Sequence, residues 1–135
     1  MNRREVIRQF IPSSPLVRHL GLRLESIGDD EATLVLPFRP ELATMDDVVH
    51  GGAIASLIDT AGMASCWAAD EEPESLQGST VTLNVNYLAA ARGQDLTAHA
   101  AVVRRGRSMV FSEVKVTEPD GRLVATGSVV QRLGA

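Results

Sequence analysis

The chain has a single cysteine, Cys66, among its 135 residues. One thiol closes no intramolecular disulfide and founds no zinc cluster, which fits a reducing compartment and leads us to expect a cytoplasmic protein. Basic residues are also scarce. The net charge of −4 argues against a broad cationic face of the kind that displaces counterions from nucleic acid. The first ten residues, Met1 to Phe10, carry arginines but no apolar run long enough for a secretory signal. No internal repeat and no low-complexity segment interrupts the chain, and its length suits one domain, residues 1–135, that buries roughly two thirds of its unfolded surface.

What the sequence has in abundance is one uncharged stretch. From Gly51 to Ala69 the only charged residue is Asp59, and the others are Gly, Ala, Ile, Leu, Met, Ser, Thr, Cys and Trp. A surface helix shows a polar face, so a helix apolar all round is expected to be buried on nearly all sides. A carboxylate in the middle of such a helix is costly to ionise without partners, and so needs a structural or chemical reason.

The rest of the chain reads as a wrapper. Val6, Ile7 and Phe10 fall at helical spacing until Pro12, and Pro15 opens a second short turn through Leu20. The period then drops to two. Leu20, Leu22 and Leu24, and after the Gly28-Asp29-Asp30 turn Ala32, Leu34, Leu36 and Phe38, predict a hairpin. Residues 39–49 read as an irregular loop. Beyond the helix and the acidic run that closes it, Val81 to Tyr87, Leu96 to Val102, Met109 to Val116 and Leu123 to Val130 alternate as four strands, expected as an antiparallel meander. The expected architecture is α+β, an antiparallel sheet wrapped around one long central helix, with any uncovered side of helix or sheet facing another subunit.

Gly51 and Gly52 open the helix. Glycine lets a ligand approach the backbone closely, and the free N–H groups of a first helical turn, with the helix dipole, suit a developing oxyanion. Asp59 is a carboxylate able to act as nucleophile or as general base toward water. The two parts stand roughly 10 Å apart along the helix at about 1.5 Å per residue, too far to serve one carbonyl. Two antiparallel helices across a two-fold axis would bring Gly52 of one chain to Asp59 of the other.

His50-Gly51-Gly52, with an acid nine positions after the histidine on the helix that follows the second strand, resembles the hotdog-fold acyl-CoA thioesterases of the phenylacetate-pathway (PaaI-like) branch. The resemblance covers nearly the whole chain, and Thr80 to Leu88 is similar to that family's strand after the helix. It implies a homodimer, usually paired again as a dimer of dimers, that hydrolyses the thioester of an acyl-coenzyme A without a cofactor. By the same resemblance Asp59 is the catalytic acid, His50 helps orient the thioester, Gly52 donates its amide to the carbonyl oxygen, and Thr80 helps place the water. Thr44 stands where the family often has Asn, and Asp47 where it often has Gly. Gly51 joins the substrate-binding set. Arg104, Arg105 and Arg107, around a turn in an acidic chain, are candidates to hold the coenzyme A phosphates through charge-assisted hydrogen bonds.

For each candidate a plainer role competes. Asp59 as a paired structural carboxylate, His50 as a helix cap, the glycines as close-packing residues, Thr80 as an ordinary strand threonine and the arginines as a solvated turn are all physically sound. His19 and His99 lack metal-ligand company, and Cys66, Met63 and Trp67 read as core. Three other functions compete. A non-catalytic acyl-CoA-binding module would ordinarily carry a DNA-binding segment, for which residues 1–19 are too short. A membrane span is disfavoured by Asp59 at its middle and by the missing aromatic anchors. A hydratase needs a second His/Asp pair that the helix lacks.

Overall fold

The computed structural model describes residues 1–134. Two short helices, α1 (Arg3–Ser13) and α2 (Pro15–Leu20), precede strands β1 (Arg23–Gly28) and β2 (Glu31–Leu36). Strands β3 (Ala43–Met45) and β4 (Val48–Val49) then lead to the long helix α3 (Gly51–Cys66). Strands β5 (Gly78–Tyr87), β6 (Leu96–Arg105), β7 (Met109–Thr117) and β8 (Leu123–Leu133) complete the chain.

Local chemistry sets several boundaries. Asn2 and Glu5 form a reciprocal capping box that starts α1, and Pro12 is accommodated in its last turn, so the helix runs one residue past the expected stop. Gly21, at φ 78°, ends α2, its amide donating to the Val17 and Arg18 carbonyls. Leu20 therefore belongs to helix and β1 starts at Arg23, later than the leucine alternation predicts. Residues 39–49 are more regular than expected, containing a 3-10 turn at Pro40–Leu42 and the small β3–β4 hairpin.

Helix α3 stops at Cys66, three residues short of the predicted Ala69. Its end is held from outside: the Arg105 guanidinium donates to the O of Cys66, its last residue, at 2.9 Å, and the Asp30 amide to Ala68 O, just beyond it, at 2.8 Å. Arg105 also holds Asp30 Oδ1 with two nitrogens, at 2.7 and 3.1 Å. The β1–β2 turn and the end of β6 thus fix where the helix terminates.

The six long strands form one antiparallel sheet in the order β1-β2-β6-β7-β8-β5. The expected four-strand meander is corrected to three strands, β6 to β8, because β5 pairs with β8 and the connection 88–95 carries the chain back to β6 beside β2. That connection runs beside the segment leading into α3, tied to it by the Val49 amide on Ala91 O and the Gly93 amide on Asp47 O. Period-two alternation marks a strand without naming its neighbours, which is why the order was not readable.

The sheet curls around α3. Ile54, Leu57, Ile58, Ala61 and Ala64 pack on Leu34, Leu36, Ala98, Ala100, Val114, Val116 and Val129, each large aliphatic residue contributing about 1.5–3 kcal/mol. Gly62 lets the helix lie against Val129, and Gly127 makes room for Ile58. The expectation of burial on all sides holds for one face only. Gly52, Ala55, Ser56, Asp59, Thr60 and Met63 form a stripe along α3 that the protomer leaves open or half-covered. Strand β5, at the sheet's edge, is exposed at every residue except the half-buried Val85.

Candidate active site

Two groups of predicted residues lie at opposite ends of the open stripe of α3. The first is at the helix start. His50 is the N-cap, extended at φ −60° and ψ 134°, and its Nδ1 accepts the Gly52 amide at 2.7 Å. A neutral ring accepting at Nδ1 carries its proton on Nε2, which points that donor away from the cap. The amides of Ala53 and Ile54 turn back to His50 O. Gly52, expected to offer its N–H to a substrate, therefore already donates it to His50. Among the described residues Gly51 N–H is the first-turn donor with no acceptor.

Tyr87, at the end of β5, closes over this point and donates its phenol proton to Gly51 O at 2.7 Å. A Cβ on Gly51 would stand 3.3 Å from the Tyr87 ring. Thr44, Gly51, Ile54, Tyr87 and Ala91 line a cleft of about 380 Å³, so Thr44 does reach the helix start. His50, Gly52 and Ser56 line a second, smaller cleft of about 290 Å³ on the stripe side. Asp47 is paired with Arg92 at 3.3 Å, which balances part of the negative charge near the mouth.

The second group surrounds Asp59. Thr80 donates its hydroxyl proton to Asp59 Oδ1 at 2.7 Å, and Gln131 Nε2 donates to Thr80 Oγ1 at 2.5 Å. Thr80 reaches the helix because of a bulge. The register jumps from Thr80↔Gln131 to Thr82↔Val130, leaving Val81 as the extra residue. Simple alternation would have put Thr80 outside with Thr82, Asn84 and Asn86; the bulge turns it to the inner face with Leu83 and Val85. Gln131 also borders a small apolar cleft of about 120 Å³ with Val6, Phe10, Met63, Trp67 and Leu76. This cleft begins one helical turn beyond Asp59.

Sequence reading missed Tyr87 and Gln131 as site residues. Tyr87 reads in the sequence only as one member of a strand alternation. Gln131 carried a usable signal, a lone amide in the apolar alternation Val129-Gln131-Leu133, whose burial requires a polar partner.

The arginine trio separates. Arg105 is spent on Asp30 and Cys66 O, so its expected phosphate role is corrected to a structural one. Arg104 and Arg107 are exposed, and neither lines the clefts beside Gly51 or Asp59. Cys66 is buried, and burial pushes its thiol up to about 11. Among the described residues no cluster of His, Cys, Asp and Glu suits a metal ion, and no helix is long and apolar enough to cross a membrane.

Comparison with known proteins gives a consistent picture. The family model for the thioesterase superfamily matches residues 46–125, from the loop before His50 to the start of β8. A putative esterase of Halobacterium salinarum is 37% identical over 117 residues, covering 84% of this chain and 77% of that one. A medium/long-chain acyl-CoA thioesterase of Escherichia coli is 26% identical over 138 residues, covering 93% and 89%. The E. coli PaaI protein from the phenylacetic acid degradation operon superposes with a TM-score of 0.85 over 98% of this chain and 94% of its own, at 18% identity, which shows a shared hotdog fold.

Proposed function

The chain belongs to the thioesterase superfamily, and from that premise we propose that it hydrolyses the thioester of an acyl-coenzyme A at sites shared between two copies of itself. The observation that carries this reading is the presence, on one helix, of an unoccupied amide at its first residue, Gly51, and of a carboxylate held by Thr80 about two turns further along.

The residues divide the work. Gly51 N–H, backed by the helix dipole, polarises the thioester carbonyl and stabilises the oxyanion formed on attack. Its proposed role replaces that of Gly52, whose amide holds the His50 ring and so aims Nε2–H outward. Asp59, fixed at Oδ1 by Thr80, turns its other oxygen to the substrate, where it either attacks the carbonyl carbon, giving an anhydride that water then hydrolyses, or takes a proton from the attacking water. The thiolate of coenzyme A leaves, and the acyl group departs as the acid. The apolar cleft beyond Asp59 receives the near end of the acyl group, and Thr44 and Tyr87 border the opposite approach to Gly51.

Two features support the dimer. The stripe of small residues on α3 allows close helix contact. Strand β5, ten residues long with Val81, Leu83 and Tyr87 exposed, is an unprotected sheet edge of the kind that pairs with another chain. Antiparallel packing of two such stripes sets each Gly51 near the partner's carboxylate, and two dimers then pair as a tetramer. We place the protein in the cytoplasm, in keeping with its single buried thiol.

The test is a panel of aryl, short and long acyl-CoAs, with released thiol measured for wild type and Asp59→Asn. The expected result is turnover by wild type and a loss of 10²-fold or more in the variant, the range typical of general acid–base residues. Full turnover by Asp59→Asn on the best substrate would refute the assignment.

A further inference from the structure

We infer that Gln131 is a positioning residue for the reaction, acting on Asp59 through Thr80. The inference rests on the thioesterase reading above and adds to it a residue on β8, far from Asp59 in sequence.

Four polar side chains are buried among the described residues: Ser65, Ser112, Glu118 and Gln131. Ser65 and Ser112 bond to each other at 2.6 Å, and Glu118 takes the Arg122 guanidinium at 3.1 Å. Those contacts close on themselves. Gln131, 2% exposed, spends its amide on a hydroxyl whose own proton goes to Asp59.

The order of donors is forced. An ionised carboxylate only accepts, and a threonine hydroxyl has one proton, so Thr80 must donate to Asp59 and accept from its other neighbour. Gln131 must then present its nitrogen rather than its oxygen. This fixes the Thr80 rotor, fixes Asp59 Oδ1, and leaves Oδ2, which has no partner among the described residues, for substrate or water. The bulge at Val81 supplies the register that sets Thr80 directly opposite Gln131. Bulge, amide and hydroxyl together aim one carboxylate.

Two substitutions test the relay. Gln131→Met keeps the volume and removes the donor; it is expected to lower kcat about tenfold with KM within about twofold, the upper end of what one neutral hydrogen bond contributes. Gln131→Glu, once ionised, competes with Asp59 for the single Thr80 proton and is expected to move the acid limb of kcat/KM upward by about one pH unit. In a Thr80→Val background, Gln131→Met should cost nothing further.

A pH profile and kcat for Gln131→Met that superpose on wild type, or losses that multiply with Thr80→Val, would overturn the inference. A measurement on the wild-type protein needs no Gln131 variant to fold. The side-chain ¹⁵N resonance of Gln131 should shift across the acid limb of the rate profile and should stop doing so in Thr80→Val; a resonance flat across that limb in wild type also overturns it. If Asp59→Asn retains full activity, the thioesterase site itself falls; if that variant is dead while Gln131→Met behaves as wild type, only the relay does.

Discussion

Gly62→Ala probes how closely α3 must lie on the sheet. A Cβ at this position would stand 2.5 Å from both Cβ and Cγ2 of Val129 and 2.9 Å from Cγ1. Ordinary contact begins near 3.4 Å, so helix and strand must separate by about 1 Å, and Val129 cannot comply by rotating because its Cβ is among the clashing atoms. Overpacking of this kind costs typically 1–3 kcal/mol, and the better helix propensity of alanine returns about 1. A clash that includes the branch point lies at the high end, giving a net loss of about 2 kcal/mol. For a domain of this size that lowers Tm by roughly 8 °C. Asp59 sits one turn earlier, and a 1 Å lift stretches its 2.7 Å bond from Thr80 beyond hydrogen-bonding range. The assay is thermal unfolding beside thioester hydrolysis on the same preparation. The variant is expected to melt earlier and to lose activity at temperatures where it is still folded. A variant as stable and as active as wild type would refute the tight seating of α3 and its link to the site.

Other substitutions follow from the same contacts. Cys66, pushed up to about 11 by burial, should resist alkylation at pH 8 until the protein is denatured. Because the folded thiol ionises at higher pH than the unfolded one, stability should be full below about pH 9 and fall on the order of 2–3 kcal/mol toward pH 11, a slope that Cys66→Ala removes in urea titrations. Arg105→Lys loses the two-nitrogen grip on Asp30 together with the bond to Cys66 O, and should cost about 1–2 kcal/mol in the same titrations while leaving KM for acyl-CoA unchanged. Tyr87→Phe frees Gly51 O and should lower kcat several-fold with no comparable change in Tm.

Much of this molecule was legible in its sequence because its signals were local. The uncharged run around Asp59 marked the central helix, period two marked the strands, and Pro15 and the Gly28-Asp29-Asp30 turn marked α2 and the β1–β2 hairpin. What alternation does not carry is long-range pairing, and so β5 was placed beside β6 rather than at the far edge. The helix end at Cys66 was hidden for the same reason: Arg105 and Asp30, which terminate it, are distant in sequence. At the site, Asp59 and the Gly51-Gly52 pair stood out by contrast with their neighbours, with Gly52 expected to offer the amide. Thr80 was reached through family resemblance, since its inward orientation depends on a bulge at Val81. His50, also taken from that resemblance, proved to hold the Gly52 amide, a geometric fact about one ring nitrogen that moves the free donor to Gly51.

Subunit mixing tests the shared site directly. Gly51 occupies the first helical position, where the backbone tolerates proline well, and His50 before it is already extended, so Gly51→Pro removes the N–H without breaking α3, the Tyr87 ring giving way by a few tenths of an ångström. Asp59→Asn and Gly51→Pro chains should each be nearly inactive alone. When they are unfolded and refolded together, half of the dimers should be mixed, each with one intact site of two, and activity should rise to about a quarter of wild type. A mixture no more active than its two parents would contradict a site built from both chains.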